Sequence, residues 1–229
     1  MSPDPMDRRL RSSVMVETEG MRIVIDTGPD FRYQMLRAGI RNLDAILFTH
    51  PHKDHIAGLD DVRAFNFFSG RPMTLYANAL TEEALRREYH YAFGEKRYPG
   101  VPELDLNSIG TEPFQIGSMS VIPIPVWHLN MPVLGFRIGD FTYITDANRI
   151  EPESLDLIRG SRVVVLNALR KTPHISHFTL DEAVSLVQEL DIPQAWFTHI
   201  SHQLGTHASV SPALPEGIAL AYDGLVVDL

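Results

Sequence analysis

Thr49-His50-Pro51-His52-Lys53-Asp54-His55 packs four metal-seeking side chains into residues 50–55. The apolar run Ala45-Ile46-Leu47-Phe48 leads into it and Ile56-Ala57-Gly58-Leu59 leads away. Neutral imidazoles together with an anionic carboxylate favour divalent transition metals. On an extended segment His50 and His52 stand two apart and point the same way. Asp54 and His55 are adjacent and, after a turn, address a different point. The spacing suits two neighbouring metals better than one.

Three further stretches repeat that grammar, an apolar strand running into a metal-type ligand. Ile122 to Trp127 ends in His128, Phe141 to Thr145 in Asp146, and Ala195 to Thr198 in His199. Binding sites in layered α/β proteins collect at strand ends, where loops converge. A single histidine after a strand is ordinarily structural; a ligand at each of four strand ends is a pattern.

The rest of the chain supplies a scaffold for those ends. Residues 13–17 and 21–26 form a hairpin over Glu19-Gly20, followed by a tight loop at Thr27-Gly28-Pro29 and a helix from Phe31 to Ala38 closed by Gly39. Residues 56–68 read as helix or compact loop, and Met73 to Tyr76 as a strand. Thr81 reads as the N-cap of a helix running towards Tyr91. Gly94 to Pro102 is a Gly/Pro/aromatic loop of the kind that can cover a site. Hairpins follow at Gly117-Ser118 and Gly139-Asp140, then a helix over 152–159 and a strand over 163–166. Thr179 to Glu182 forms a capping box opening a helix to Leu190. A closing hairpin is expected over Asp223-Gly224. Hairpins followed by alternating strand and helix give an α/β layered fold, read as a single domain over 1–229.

Composition narrows the function classes. A chain of 229 residues with 44% hydrophobic content can bury a large core. Its formal charge of −9 is spread without a block of one sign, which argues against a stable nucleic-acid partner held by a basic stripe. Phosphate substrates stay open, because bound cations reverse the local sign. With no cysteine there is no disulfide framework, thiolate zinc site or cysteine nucleophile. No stretch has the apolar length of a membrane span, and the N-terminus does not look like a signal peptide. A cytoplasmic, membrane-free protein is the expectation.

The ligand order resembles the metallo-β-lactamase superfamily of metal-dependent hydrolases, whose signature is His-x-His-x-Asp-His followed by a distant His, Asp and His. That resemblance implies an αββα sandwich, two sheets face to face with helices outside. It also implies two divalent metal ions, Zn2+ or Mn2+ before others. One would take His50, His52 and His128, the other Asp54, His55 and His199, with Asp146 bridging. Relatives open with a further strand and a Gly-rich loop, often with cysteines; that opening is missing here, so one sheet is expected to lack its first N-terminal strand. Homodimers are common among relatives.

Local strings refine the likeness. Gly58-Leu59-Asp60-Asp61-Val62-Arg63-Ala64-Phe65-Asn66, Ser176-His177-Phe178 and Thr198-His199-Ile200-Ser201-His202 are similar to the phosphoribosyl cyclic phosphodiesterases of phosphonate breakdown. By that resemblance His177 is a catalytic general acid, and Asp54 orients a metal-bridging hydroxide that attacks phosphorus. Asp26 resembles an aspartate that orients ligands through hydrogen bonds. His202 is a neighbour of His199 or of substrate, and Lys53 reads as solvated. The expected reaction is hydrolysis of a small, cyclic ribose-phosphate or nucleotide phosphodiester. Competing readings are a thioester hydrolase of the glyoxalase II kind, a tRNA 3′-processing-like nuclease and a metal-bearing accessory protein without turnover.

Overall fold

A computed structural model describes residues 2–94 and 98–229. The chain divides into two compact units, residues 11–112 with 116–118, and residues 1–10, 113–115 and 119–229.

The first unit is built on a five-stranded sheet. Its strands are β1 (Val14–Thr18), β2 (Met21–Ile25), β3 (Ala45–Leu47), β4 (Met73–Ala77) and β5 (Leu104–Ser108), in that spatial order. β1 and β2 are an antiparallel hairpin, Thr18 facing Met21, with Glu19 and Gly20 both at positive φ as a tight two-residue turn demands. The other pairings are parallel. β3 is buried at every residue, as a central parallel strand requires. Five helices belong to this unit: α1 (Phe31–Arg37), α2 (Lys53–Ile56), α3 (Arg63–Ser69), α4 (Ala79–Glu88) and α5 (His90–Phe93). Phe31, Phe65 and Leu85 from these helices, and Tyr89 between α4 and α5, join Val24, Ile46 and Leu75 in one apolar cluster.

The second sheet has seven strands: β6 (Phe114–Ile116), β7 (Met119–His128), β8 (Met131–Ile138), β9 (Phe141–Ile144), β10 (Val163–Asn167), β11 (Gln194–Thr198) and β12 (Ile218–Leu220). They lie in the order β12-β11-β10-β9-β8-β7-β6. β7, β8 and β9 run antiparallel, while β9 to β12 are parallel. Its helices are α6 (Pro152–Ile158), α7 (Leu180–Glu189) and α8 (His207–Val210). The Thr179 capping box is present, with Glu182 N donating to Thr179 Oγ1 and Thr179 N donating to Glu182 Oε2. Leu180, Ala183 and Val187 then face Ile144, Leu166 and Phe197 in the core. Both sheets are mixed and flanked by helices, and no described helix is long and apolar enough to cross a membrane.

Two expectations need correction, and one strand is additional. Asn78, not Thr81, caps α4: its Oδ1 accepts from Thr81 N at 2.9 Å, so Thr81 sits buried inside the first turn. The closing hairpin does not form. β12 pairs parallel with β11, and the segment after it is taken up by the N-terminus, Arg9 Nε donating to Ala221 O and Leu10 N to the Asp223 carboxylate. Val226 and Leu229 have no apolar cover and stay exposed. β5 was not expected, because Leu104-Asp105-Leu106-Asn107-Ser108 is polar at alternate positions; as an edge strand it needs only one apolar face. The covering loop expected over 94–102 lies partly outside the described residues.

Two glycines let the loop after β2 dock on the motif. Thr27 N donates to His55 O, and Gly58 N donates to Thr27 O, both at 2.8 Å. A Cβ on Gly58 would lie 2.1 Å from Gly28 O, and one on Gly28 would lie 2.3 Å from Asp54 O. Both obstacles are backbone, so neither can swing aside. Gly58→Ala is expected to destabilise the fold by about 1–3 kcal/mol or more through overpacking. In a urea titration the unfolding midpoint falls with little change in slope; an unchanged midpoint contradicts this close approach.

Candidate metal centre

Each unit carries half of the expected ligand set. In the first, β3 delivers the chain to Thr49-His50, and α2 begins inside the motif at Lys53 with His52 at its N-cap. The helical turn swings His55 back: its ring centroid lies 4.1 Å from that of His50, while His52 lies 4.7 Å from His50 on an extended backbone. Asp54 Oδ2 is 3.7 Å from His55 Nε2. The four side chains of the motif thus lie close together around His50.

Asp26 holds this cluster from behind. It is fully buried, at positive φ, and its carboxylate accepts three bonds. Thr49 N donates to Oδ1 at 2.9 Å, while Thr49 Oγ1 and His55 Nδ1 reach Oδ2, each at 2.8 Å. The only hydroxyl proton of Thr49 goes to Asp26, so the contact of 2.9 Å between His50 Nδ1 and Thr49 Oγ1 has the ring as donor. Both histidines consequently carry their proton on Nδ1 and present Nε2 as a lone pair, the arrangement that orients an imidazole towards a metal. Arg11 Nη1 stands 3.7 Å from Asp54 Oδ2. Lys53 is tied to Glu88 of α4 by an ion pair.

In the second unit, His128 ends β7, Asp146 follows β9, His199 follows β11, and His177 precedes α7. His128 Nδ1 donates to Ser176 O at 2.7 Å, again leaving Nε2 to a metal. His199 Nε2 lies 3.2 Å from Asp146 Oδ1, which also accepts from Thr145 Oγ1. The His177 ring stacks on His199 at 4.8 Å between centroids and meets His128 edge-on at 4.6 Å. Ligating atoms of Asp146, His177 and His199 lie within 4.8 Å of one another, a set able to hold an ion. Burial pushes His177 down to about 3, partly opposed by Asp146 and reinforced by His199, so its ring is neutral at pH 7. Donor chemistry and tautomers in both halves fit divalent metal ions.

Sequence reasoning missed three residues. His174 stands outside the ligand pattern, and its ring lies 5.1 Å from that of His177. Asn167, fully buried at the end of β10, accepts from Ala147 N and donates to Ala147 O, fixing the residue after Asp146. It obeys the same grammar, a polar side chain ending an apolar strand, and was legible on that ground. Asn148 gave no signal. His202 is exposed in a turn, His90 is exposed, and His207 packs on Tyr222 and meets Arg9.

Comparison with known proteins agrees with this geometry. Residues 21–200 match the family described as the beta-lactamase superfamily domain. The chain belongs to that family. A crystal structure described as a new diphosphatase from the PhnP family shares 42% identity, with a TM-score of 0.93 over 100% of this chain and 88% of that one. The domain has the metallo-β-lactamase fold. An octanoyltransferase of Porphyromonas gingivalis is 37% identical over 98% of this chain but 46% of that protein. A ribonuclease Z of Bradyrhizobium diazoefficiens is 32% identical over 58% of this chain and 45% of that protein. The chain thus spans about half the length of these two relatives.

Asp26→Asn tests the bracing carboxylate. An amide facing Thr49 and His55 can no longer accept from both, so the His55 tautomer loses its lock. Affinity for Zn2+ is expected to fall about 10–100-fold, the usual cost of losing such a partner. Competition against a chromophoric chelator measures it, and wild-type affinity would count against the role.

Proposed function

We propose that the domain is a dinuclear metal-dependent phosphodiesterase acting on a small phosphodiester or diphosphate, a cyclic ribose phosphate or nucleotide included. The ligand assignment is the one the family resemblance implies: His50, His52 and His128; Asp54, His55 and His199; Asp146 between. One observation carries the phosphoryl reading. His177 is a buried imidazole lying against His128 and His199, with no hydrogen-bond partner at Nδ1 among the described residues. It differs in this from His50, His55 and His128, whose Nδ1 atoms all have oxygen partners. The likeness to a solved diphosphatase supports the same direction.

Bound divalent ions supply an activated water and neutralise charge growing on the phosphoryl oxygens. The chain's own residues do the rest. Asp26 and Thr49 keep the motif imidazoles in one tautomer. Asp54 orients the attacking oxygen. As the P–O bond to the leaving group breaks, His177 holds a proton against the departing oxygen. An anionic phosphoryl group beside the ring raises its proton affinity, so the ring, neutral at rest, would take up a proton from solvent as substrate binds and pass it to the departing oxygen.

The test is an assay of metal-loaded protein on a chromogenic phosphodiester, a 2′,3′-cyclic nucleotide and acyl thioesters of glutathione and octanoate. Hydrolysis of the phosphodiesters is expected, abolished by chelation and restored by Zn2+ or Mn2+. His177→Ala should keep its metal and lose about 10²–10⁴-fold in rate on a substrate with a poor leaving group; full activity there defeats the assignment. Turnover of thioesters alone favours the second reading, a thioester hydrolase. That reading draws on the octanoyltransferase relative, less than half of whose length this chain spans.

A further inference from the structure

We propose that Asn148 is a positioning residue that couples the His128 strand end to the His177 segment. It sits two residues after Asp146, and the backbone here pairs with β7: Asn148 N donates to Trp127 O, and Trp127 N donates to Arg149 O, both at 2.9 Å. Its side chain then reaches in two directions. Oδ1 accepts from Leu129 N at 2.7 Å, and Nδ2 donates to Ile175 O at 3.2 Å. His128 is gripped on both flanks, at residue 127 through backbone and at 129 through this amide. The 175–178 segment is gripped at both ends, since Phe178 N donates to Ala147 O at 2.8 Å. Between those ends Ser176 O accepts the His128 Nδ1 proton, and His177 packs against His128.

Apolar packing does not do this job. Leu129 is 44% exposed and Ile175 72% exposed, and Leu129 adopts a φ of 56°, which a leucine rarely does unaided. Neither side chain at the contact is buried, so the bidentate amide of Asn148 holds the register between the two loops there. Small displacements of a reacting group carry large rate costs. Removing the amide should loosen the site more than it loosens the fold.

Two variants of the full chain separate the parts. Asn148→Ala removes both bonds. Asn148→Asp keeps the acceptor for Leu129 N but sets a carboxylate oxygen against Ile175 O, breaking only the second. For Asn148→Ala, Zn2+ affinity by chelator competition should fall about tenfold or more, the scale of a lost orienting partner. Hydrolysis of an alkyl phosphodiester should fall at least tenfold further than that of a p-nitrophenyl ester, which needs no proton at its leaving oxygen. The metal-free unfolding temperature should move by a few degrees at most. Asn148→Asp should show the same leaving-group split with metal affinity nearer to wild type.

Wild-type metal affinity and an unchanged leaving-group ratio in both variants would overturn the proposal. So would a large fall in the metal-free unfolding temperature that accounts for the losses, since that marks a merely structural brace. The kinetic arm rests on the phosphodiesterase reading. If the unsubstituted protein turns over no phosphodiester, that reading fails and the metal-affinity arm alone decides the role of Asn148.

Discussion

A carboxylate sealed from solvent is costly unless hydrogen bonds meet both of its oxygens, and Asp26 meets that condition only through the metal-binding motif. Its three partners are the Thr49 backbone, the Thr49 hydroxyl and the His55 ring. None of them is in place until β3 has paired with β2 and α2 has turned. The charge is therefore satisfied and the ligands are aimed in a single event. Gly28 and Gly58 make that event possible by letting two stretches of backbone meet where side chains would collide. Thr49 and His55 are thereby tied to a buried carboxylate, which suits side chains that must accept a metal without rearranging.

The second unit reaches the same end by a different device. Asp146 and His199 both sit at positive φ, beyond the ends of their strands, a conformation that costs an ordinary residue of order 1–3 kcal/mol. Each is bracketed. Asn167 fixes both polar groups of Ala147, next to Asp146. Ala168 N donates to Thr198 O and Ser201 N to Leu169 O, on either side of His199. A left-handed residue at a strand end turns its side chain out of the sheet's alternation, towards the loops. The strain is offset by bonds that a regular strand would not need.

These differences explain what the sequence disclosed. The candidate ligands were legible because each one interrupts an apolar run: His128, Asp146 and His199 stand where hydrophobic alternation stops. Asp26 was legible for the same reason, and the hairpin at Glu19-Gly20 and the Thr179 box were legible because their chemistry is local. Asn148 was not, because it lies within a loop and acts on residues distant in sequence. The C-terminal pairing failed likewise: Asp223-Gly224 does make a turn, with Leu225 N donating to Tyr222 O. Only the tertiary fold reveals that Arg9 takes the Ala221 carbonyl, a group a hairpin partner would have used, while Leu10 N holds the Asp223 side chain. Turn chemistry specifies a reversal, not what the chain does afterwards.

The same distinction bears on substrate. The string Gly58 to Asn66 drew the likeness to phosphodiesterases, yet its residues are accounted for by the scaffold. Leu59, Val62 and Phe65 are core. Asp60 and Asp61 pair with Arg63 and Arg32, and Asn66 ties the end of α3 to Glu103. A fold can require all of these whatever it hydrolyses. His177 is otherwise. Burying an imidazole with one nitrogen unpartnered is unfavourable, and an apolar side chain would fill the place at lower cost. The fold gains nothing visible from a histidine there, whereas a reaction that expels an alkoxide gains a proton donor. Groups the scaffold does not need say more about chemistry than strings it does.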